Sequence, residues 1–300
     1  MMIKRTDLAS EAHKLWQEGA KETSELAGVK ARTVWEKGFE IETVNVLDEA
    51  GETALSKPKG TYISMELTPM LNREEGAFNC AAELLAEKLK ELLRLDKGDL
   101  VLVCGLGNSA ITADIIGPSA AKNTLATRHL TERMPEEFAA FRPVAVVAAG
   151  VLGTTGMESA EIVEAVAKKI KPAAVIAVDA LASRRMARIC RTVQLSDTGI
   201  VPGSGVGNAR RELSRRTLGV PVIAIGVPTV VDAGTLAADL MEQAGIGERE
   251  PSDFADFGGQ MVVTPRDIDS RAAECARLIG YGINMALHDI SADDVTMLIN

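Results

Sequence analysis

The sequence predicts an α/β fold, a single three-layer α/β/α domain around a mostly parallel or mixed sheet, on three observations. Four short apolar runs, DLVLVCG (99–105), PVAVVAAG (143–150), PAAVIAVD (172–179) and VPVIAIG (220–226), are aliphatic and lack polar alternation. Strands read this way when helices cover both faces of the sheet. Each run is followed by a glycine-rich or acidic loop and then a helical pattern, the rhythm of successive βα units. Finally, 300 residues with 46% hydrophobic and 25% charged side chains can bury a sizeable core, and with only 3% aromatics that core must be aliphatic.

Taken in order, residues 8–37 are polar with scattered Leu, Ala and Trp and predict a surface helix followed by looser chain. In TYISMEL (61–67), Ile63, Met65 and Leu67 alternate with Ser64 and Glu66, which predicts a half-buried strand. Residues 77–95 set Phe78, Ala81, Ala82, Leu85, Leu89 and Leu92 on one helical stripe. Thr155 and Glu158 have capping-box spacing ahead of a helix carrying Ile162, Val163, Val166 and Ile170. Segment 240–258 is acidic, contains Gly and Pro, and predicts an exposed connection, after which RAAECARLIGYGINMALH (271–288) is helical again.

Composition narrows the function. A net charge of -9 argues against nucleic-acid and anionic-membrane partners, since both require a basic footprint. The longest apolar stretch, VPVIAIGVPTVV (220–231), falls short of the roughly 20 residues needed to cross a bilayer. Asp7, Glu11 and Lys14 break every apolar run near the start that might serve as a secretory signal. The four cysteines, Cys80, Cys104, Cys190 and Cys275, have no CxxC spacing and fit buried thiols in a reducing compartment.

In open α/β sheets, chemistry gathers beyond the C-terminal ends of the strands. The loops there carry GLGNSAITAD ending at Asp114, GVLGTTGME with Thr154 and Thr155, DALASR starting at Asp179, SDTGIVPGSGVGN with Asp197, and GVPTVVDA with Asp232. Asp179 directly follows AVIAV, so it should sit at the rim of the buried layer, where desolvation raises a carboxyl pKa and suits it to carrying a proton. A second acid nearby, for which Asp114 is the best candidate, would split the pair into one ionised and one protonated member. The plainer alternative makes Asp179 a helix cap and Asp114 a solvated loop acid.

GLGNSA and GSGVGN also admit a phosphate- or dinucleotide-loop reading, but no strand-end acid follows GLGNSA at about 20 residues, and no GxxxxGK[ST] occurs. His13, His129 and His288 stand apart from any nucleophile, and there is no GxSxG or HExxH, which leaves carboxylates as the catalytic bases of any hydrolase. Arginines 184, 185, 188 and 191, and 210, 211, 215 and 216, read as solvated helix faces or as a subsite for an acidic side chain.

RTDLASEA (5–12), KGTYISMEL (59–67), GLGNSAITADIIGP (105–118), GVLGTTGMES (150–159), VDALASR (178–184), QLSDTGIVPGSGVGNARRE (194–212) and PVIAIGVPTVVDA (221–233) stand in the order seen in the germination proteases of spore-forming bacteria, and nearly the whole chain resembles that family. TADIIGP keeps the family's acid but lacks one of its prolines. The resemblance implies a fold similar to hydrogenase-maturation proteases. It also implies an atypical aspartic-type endopeptidase, a homotetramer without cofactor or metal, that degrades small acid-soluble spore proteins in the cytoplasm of the forespore or spore core. The family's two proposed catalytic acids fall on Asp114 and Asp179, with Asn108, Thr154, Thr155 and Asp197 in neighbouring motif loops as substrate-positioning candidates.

These proteases are made as self-processing zymogens and favour Thr-Glu-(Phe, Ile or Leu)-Ala-Ser-Glu, cut after the first Glu. TDLASE (6–11) resembles that string, which implies a propeptide at residues 1–7, a processed Asp7–Leu8 bond and a single peptidase domain over 8–300. Asp in place of Glu is worth about 1–3 kcal/mol in a fitted pocket and would slow self-cleavage. A nucleotide-dependent oxidoreductase built on GLGNSA and a non-catalytic α/β assembly subunit are the alternatives.

Overall fold

A computed structural model of the chain describes residues 6–19, 26–207, 209–246, 254 and 261–299. Helix α1 (Ala9–Gly19) leads to β1 (Val29–Glu36), β2 (Phe39–Val46), α2 (Glu49–Leu55), β3 (Gly60–Glu66), α3 (Thr68–Leu71) and α4 (Ala77–Leu92). The middle of the chain forms β4 (Val101–Leu106), α5 (Ile116–Lys122), α6 (Arg128–Arg133), β5 (Val144–Gly150), α7 (Leu152–Thr155), α8 (Ser159–Ile170), β6 (Ala174–Ser183) and β7 (Thr192–Ser196). It ends with α9 (Arg215–Leu218), β8 (Val222–Asp232), α10 (Ala233–Gln243), β9 (Val262–Val263), α11 (Ile268–His288) and α12 (Ala292–Ile299).

These strands make one mixed sheet of order β1-β2-β3-β7-β8-β6-β4-β5, with β9 paired to β8. The four apolar runs are its parallel heart, β8-β6-β4-β5, and β1, β2, β3 and β7 extend it in antiparallel fashion. On one face α4, α5 and α11 cover Val101, Val103, Ile176, Val178, Ile223 and Ile225. On the other, α8 covers Leu102, Cys104, Val175 and Ala177, while α1 and α2 cover Val44, Val46 and Tyr62. The fold is α/β with helices on both faces, as the sequence predicts.

Several expectations are corrected. The looser chain after α1 is a hairpin, β1-β2, with the two-residue turn Lys37–Gly38 at φ 48° and 84°. Two residues of positive φ match the right-handed twist of the strands they join, and the Lys-Gly between two alternating runs is the signal that reveals it. In β3 both faces are covered, for Ser64 is buried beneath α1. The α8 cap is three residues later than Thr155: Glu158 precedes the first turn, and its N–H donates to Glu161 Oε2 at 3.1 Å. Strands β6 and β8 continue beyond their apolar runs to Ser183 and Asp232, and Asp232 caps α10 by accepting from Thr235 N at 2.9 Å. Helix α10 claims 240–243 of the segment expected as a connection, most of which lies outside the described residues.

The chain leaves β4 toward β5 through α5, on one face, and returns from β5 to β6 through α8, on the other, so β4 and β6 flank the switch point of the parallel strands. Helix α5 comes very close to that point. A Cβ built on Gly117 would lie 2.1 Å from Leu106 O and 2.4 Å from both Leu106 N and Val178 O. Gly117→Ala is therefore expected to destabilise the chain by about 1–3 kcal/mol or more in urea unfolding, because backbone has to move. Gly153→Ala, which meets open space, serves as the neutral control.

Candidate active site

The switch point between β4 and β6 brings Asp114 and Asp179 together. Asp114 ends a 3-10 turn, Thr112–Asp114, fixed by its own N–H to Ile111 O (2.8 Å) and by the Thr229 hydroxyl on β8 donating to Ala113 O (2.6 Å). Its Oδ2 accepts from Asn108 N at 2.7 Å. Gly107, at φ 110°, lets this turn fold back onto the strand end, since a Cβ there would lie 2.3 Å from Asp114 O and 2.8 Å from Oδ1. The space above GLGNSA is thus filled by the chain's own carboxyl turn, which leaves no open cradle for a pyrophosphate.

Asp179 lies within β6, one residue beyond the Gly105–Val178 pair, and is 5% exposed. It is a strand residue and neither a loop residue nor a helix cap, and its Oδ1 accepts from the next N–H, Ala180 N, at 2.9 Å. Burial raises its pKa well above the usual carboxylate range, and the nearby charge of Asp114 raises it further. Burial raises Asp114 too, opposed by the Asn108 N–H and by the Arg210 guanidinium. Arg210 is held by both oxygens of Glu158, at 3.0 and 3.3 Å, so the start of α8 anchors a cation beside the pair.

The other expected residues lie differently. Asn108 contributes its backbone N–H, and its side-chain oxygen closes the local turn on Ala110 N. Thr154 and Thr155 are exposed and direct their hydroxyls to Val151 O within their own loop, Thr155 also to Met157 O. Asp197 is exposed beyond the far end of β7 and accepts from Thr61 N at 2.7 Å, fixing the start of β3. Arg184 is not a solvated helix residue: it directly follows β6 and is 2% exposed, with Nη2 on Glu242 at 2.8 Å. Cys190 and Cys275, distant in sequence, are neighbours in the core, Cys275 Sγ lying 3.8 Å from Cys190 O.

Asp7 and Leu8 reach the same face of the sheet as Asp179. Asp7 N donates to Ala182 O (3.0 Å), its Oδ2 accepts from Ala182 N (2.9 Å), and its Oδ1 accepts from the Ser204 hydroxyl (2.8 Å). Gln194 spans the Asp7–Leu8 bond, donating to Asp7 O at 3.2 Å and accepting from Ala9 N at 2.8 Å. Leu8 is fully buried, and the Glu11 carboxylate takes the N–H groups of Arg184 and Arg185 at 2.8 and 3.1 Å.

Beneath this segment, Glu42, Ser64, Gln194, Gly226 and Asp179 are paired strand to strand, so the side chains present form one buried polar row running to the acid pair. Ser10, His13 and Lys14 of α1 supply the partners of Ser64 and Glu42. A groove of ≈ 690 Å³ opens beside Thr6 and Asp7 over Gln194, Ala224 and Gly226, with Lys57 and Ser204 on its walls. Gln194, Lys57 and Ser204 were not singled out from the sequence, and Arg210, read there as a solvated face or a subsite for an acidic side chain, lies on Glu158 beside the acid pair. The alternation of TVQLS places Gln194 on a face, but nothing in it says that the chain's own start lies there. Among the described residues no three His, Cys, Asp or Glu side chains group as a metal site would require, and no helix is long and apolar enough to cross a membrane.

A family model described as germination protease matches residues 5–244. Curated proteins named germination protease are similar to this chain throughout: 40% identical to that of Clostridium tetani over 100% of both chains, 42% to that of Caldanaerobacter subterraneus over 94% of both, and 34% to that of Bacillus cereus over 95% of this chain and 93% of the relative.

Because the pKa of folded Asp179 lies above its unfolded value, the folded chain keeps a proton that the unfolded chain has released, and stability falls as pH rises from about 4 through the folded pKa. Asp179→Asn removes that loss. Its unfolding free energy relative to the wild type is expected to increase between pH 5 and pH 8 in urea titrations; a difference that does not change with pH would contradict the burial argument.

Proposed function

The chain belongs to the germination protease family, and on that premise we propose that it is the endopeptidase that begins degradation of small acid-soluble spore proteins, using Asp114 and Asp179 as an aspartic-type pair. The observation that carries this reading is the meeting of two carboxyls at the switch point, Asp179 buried within β6 and Asp114 held in the turn above it by the Asn108 N–H. Asp179, enclosed and beside another acid, is the member whose carboxyl is raised by burial and by its neighbour's charge, and in this reading it holds the shared proton. Asp114, with the Asn108 N–H on its carboxylate and Arg210 nearby, is the ionised member.

In this assignment Asp114 takes a proton from the attacking water while Asp179 donates its hydrogen bond to the scissile carbonyl; as the tetrahedral intermediate collapses and the C–N bond breaks, Asp179 gives its proton to the leaving amine and the pair's one proton remains on Asp114. Positioned acid-base help of this kind is worth about 10²–10⁴-fold. Asn108 acts through its N–H on Asp114, Thr154 and Thr155 shape the loop after β5, and Asp197 borders the groove.

The same proposal takes residues 1–7 as a propeptide, the remainder as one peptidase domain, and Asp7–Leu8 as the self-processed bond. What supports it is that TDLASE is held along its whole length on the acid pair's own sheet face. With Leu8 buried and Asp7 O bonded to Gln194, that bond has to leave its seat before it can be cut, which suits a zymogen. The homotetramer and a place in the forespore or spore core are proposed from the family resemblance, and sedimentation of the purified chain tests the former.

Incubation with a purified small acid-soluble spore protein, followed by mass spectrometry of the products and of the enzyme's own N-terminus, tests the whole reading. Asp114→Asn and Asp179→Asn are each expected to lower kcat/KM by about 10²-fold or more with the circular dichroism unchanged. Two folded variants that cleave at the wild-type rate would sink the assignment.

A further inference from the structure

Strand β1 forms one edge of the sheet, and among the described residues no strand pairs with its outer side. Leu47 N donates to Gly28 O at 2.8 Å, so the even-numbered residues of β1 turn their N–H and C=O groups toward β2 and the odd-numbered ones turn theirs outward. Val29 N donates to Leu26 O at 3.0 Å, which leaves Ala31, Thr33 and Trp35 as an open ladder. The opposite edge is better closed. At the start of β5, Val144 N donates to the Thr127 hydroxyl and Val144 O accepts from Thr127 N, each at 3.0 Å.

An open edge is a template for a further strand, and proteins commonly blunt it with proline or a bulge. Strand β1 has neither a proline nor a break in its register with β2, and it carries Trp35, 71% exposed. Its charges are divided by sign, Lys30 and Arg32 toward one end and Glu36 at the other. An antiparallel copy related by a two-fold axis through Thr33 complements that division. Ala31, Thr33 and Trp35 then meet the partner's Trp35, the partner's Thr33 and the partner's Ala31 as hydrogen-bonded pairs, and every open group of the ladder is used.

The side chains fit the same register. Val34 packs on the α4 side of the sheet and Glu36 holds Lys88 of α4 at 3.0 Å, so Trp35 projects from the other face, where it comes beside the small side chain of the partner's Ala31. On the α4 side, Lys30 stands opposite the partner's Glu36, and the apolar stem of Arg32 opposite the partner's Val34. An axis through Arg32 would instead oppose two arginines. One through Val34 would carry Ala31 past the partner's strand into its turn at Lys37.

We propose that β1 is an interface between copies of this chain: two protomers join edge to edge through an antiparallel β1–β1 pair, and their sheets run on as one. The proposal rests on the self-association proposed above and names a contact for it. One two-fold axis suffices, so it holds for a dimer and for a tetramer made of two such pairs.

The test is sedimentation equilibrium of the full-length chain. Thr33→Lys and Thr33→Glu each place like charges opposite one another at the axis, and since Thr33 is exposed with its N–H turned away from β2, both leave the β1-β2 hairpin intact. Each variant alone is expected to sediment at half the wild-type mass with unchanged circular dichroism, and an equimolar mixture to regain the wild-type mass as Lys meets Glu. Trp35→Ser, which removes the aromatic anchor, should weaken association about tenfold or more. Folded variants at Thr33 that keep the wild-type mass overturn the β1 contact and leave self-association through another surface standing, and a mixture that stays at half mass overturns the register through Thr33. A wild type that sediments as a monomer overturns the contact and the self-association together.

Discussion

The structure turns on one close approach: the backbone of α5 at Gly117 lies against Leu106 of β4 and Val178 of β6. With no side chain at that contact, the 3-10 turn before α5 is drawn over the end of the sheet, and Asp114 comes near enough for its charge to act on Asp179. Two acids held together away from water cannot both ionise cheaply, so their proximity separates their proton affinities. Arg210, tied to Glu158 at the start of α8, adds to the asymmetry by favouring charge on Asp114.

A second constraint follows from the polar row. Glu42, Ser64, Gln194 and Asp179 occupy one buried sheet face, where unpartnered polar groups are costly. For the first three, the cover is the start of the chain: Asp7, Ala9 and Ser10 hydrogen-bond Gln194 and Ser64, and His13 and Lys14 ion-pair with Glu42 at 3.8 and 3.4 Å. The N-terminal stretch is therefore part of the packing. Its first described residues, Thr6 and Asp7, border the groove, whereas the four after them, Leu8 to Glu11, are buried. A cut between them would divide a segment whose two halves the fold treats very differently.

The extensions of β6 and β8 make this arrangement possible. Had each strand stopped with its apolar run, Ala182 would be loop and would offer no fixed N–H and C=O to Asp7. The added strand residues carry Asp179 into the interior and, three positions on, present a strand backbone to the incoming chain.

The sequence by itself determined the α/β class, the four parallel strands, the α4 and α11 helices, and the choice of Asp114 and Asp179 as candidate acids, because each rests on local information: aliphatic runs, helical stripes and an acid abutting a buried strand. It also singled out TDLASE, through family resemblance. What only the tertiary structure decided is which groups meet across long separations: Gln194 on the Asp7–Leu8 bond, Ser204 on Asp7, Lys57 on Thr6, Arg210 beside Asp114 and Cys190 beside Cys275. Thr154, Thr155 and Asp197 show the converse, since motif loops close in sequence reading turn out to bond within their own turn or to a distant strand start. Period and composition register the face on which a side chain lies. Its partner is fixed by strand order and by the path of the chain over the sheet, which no local window contains.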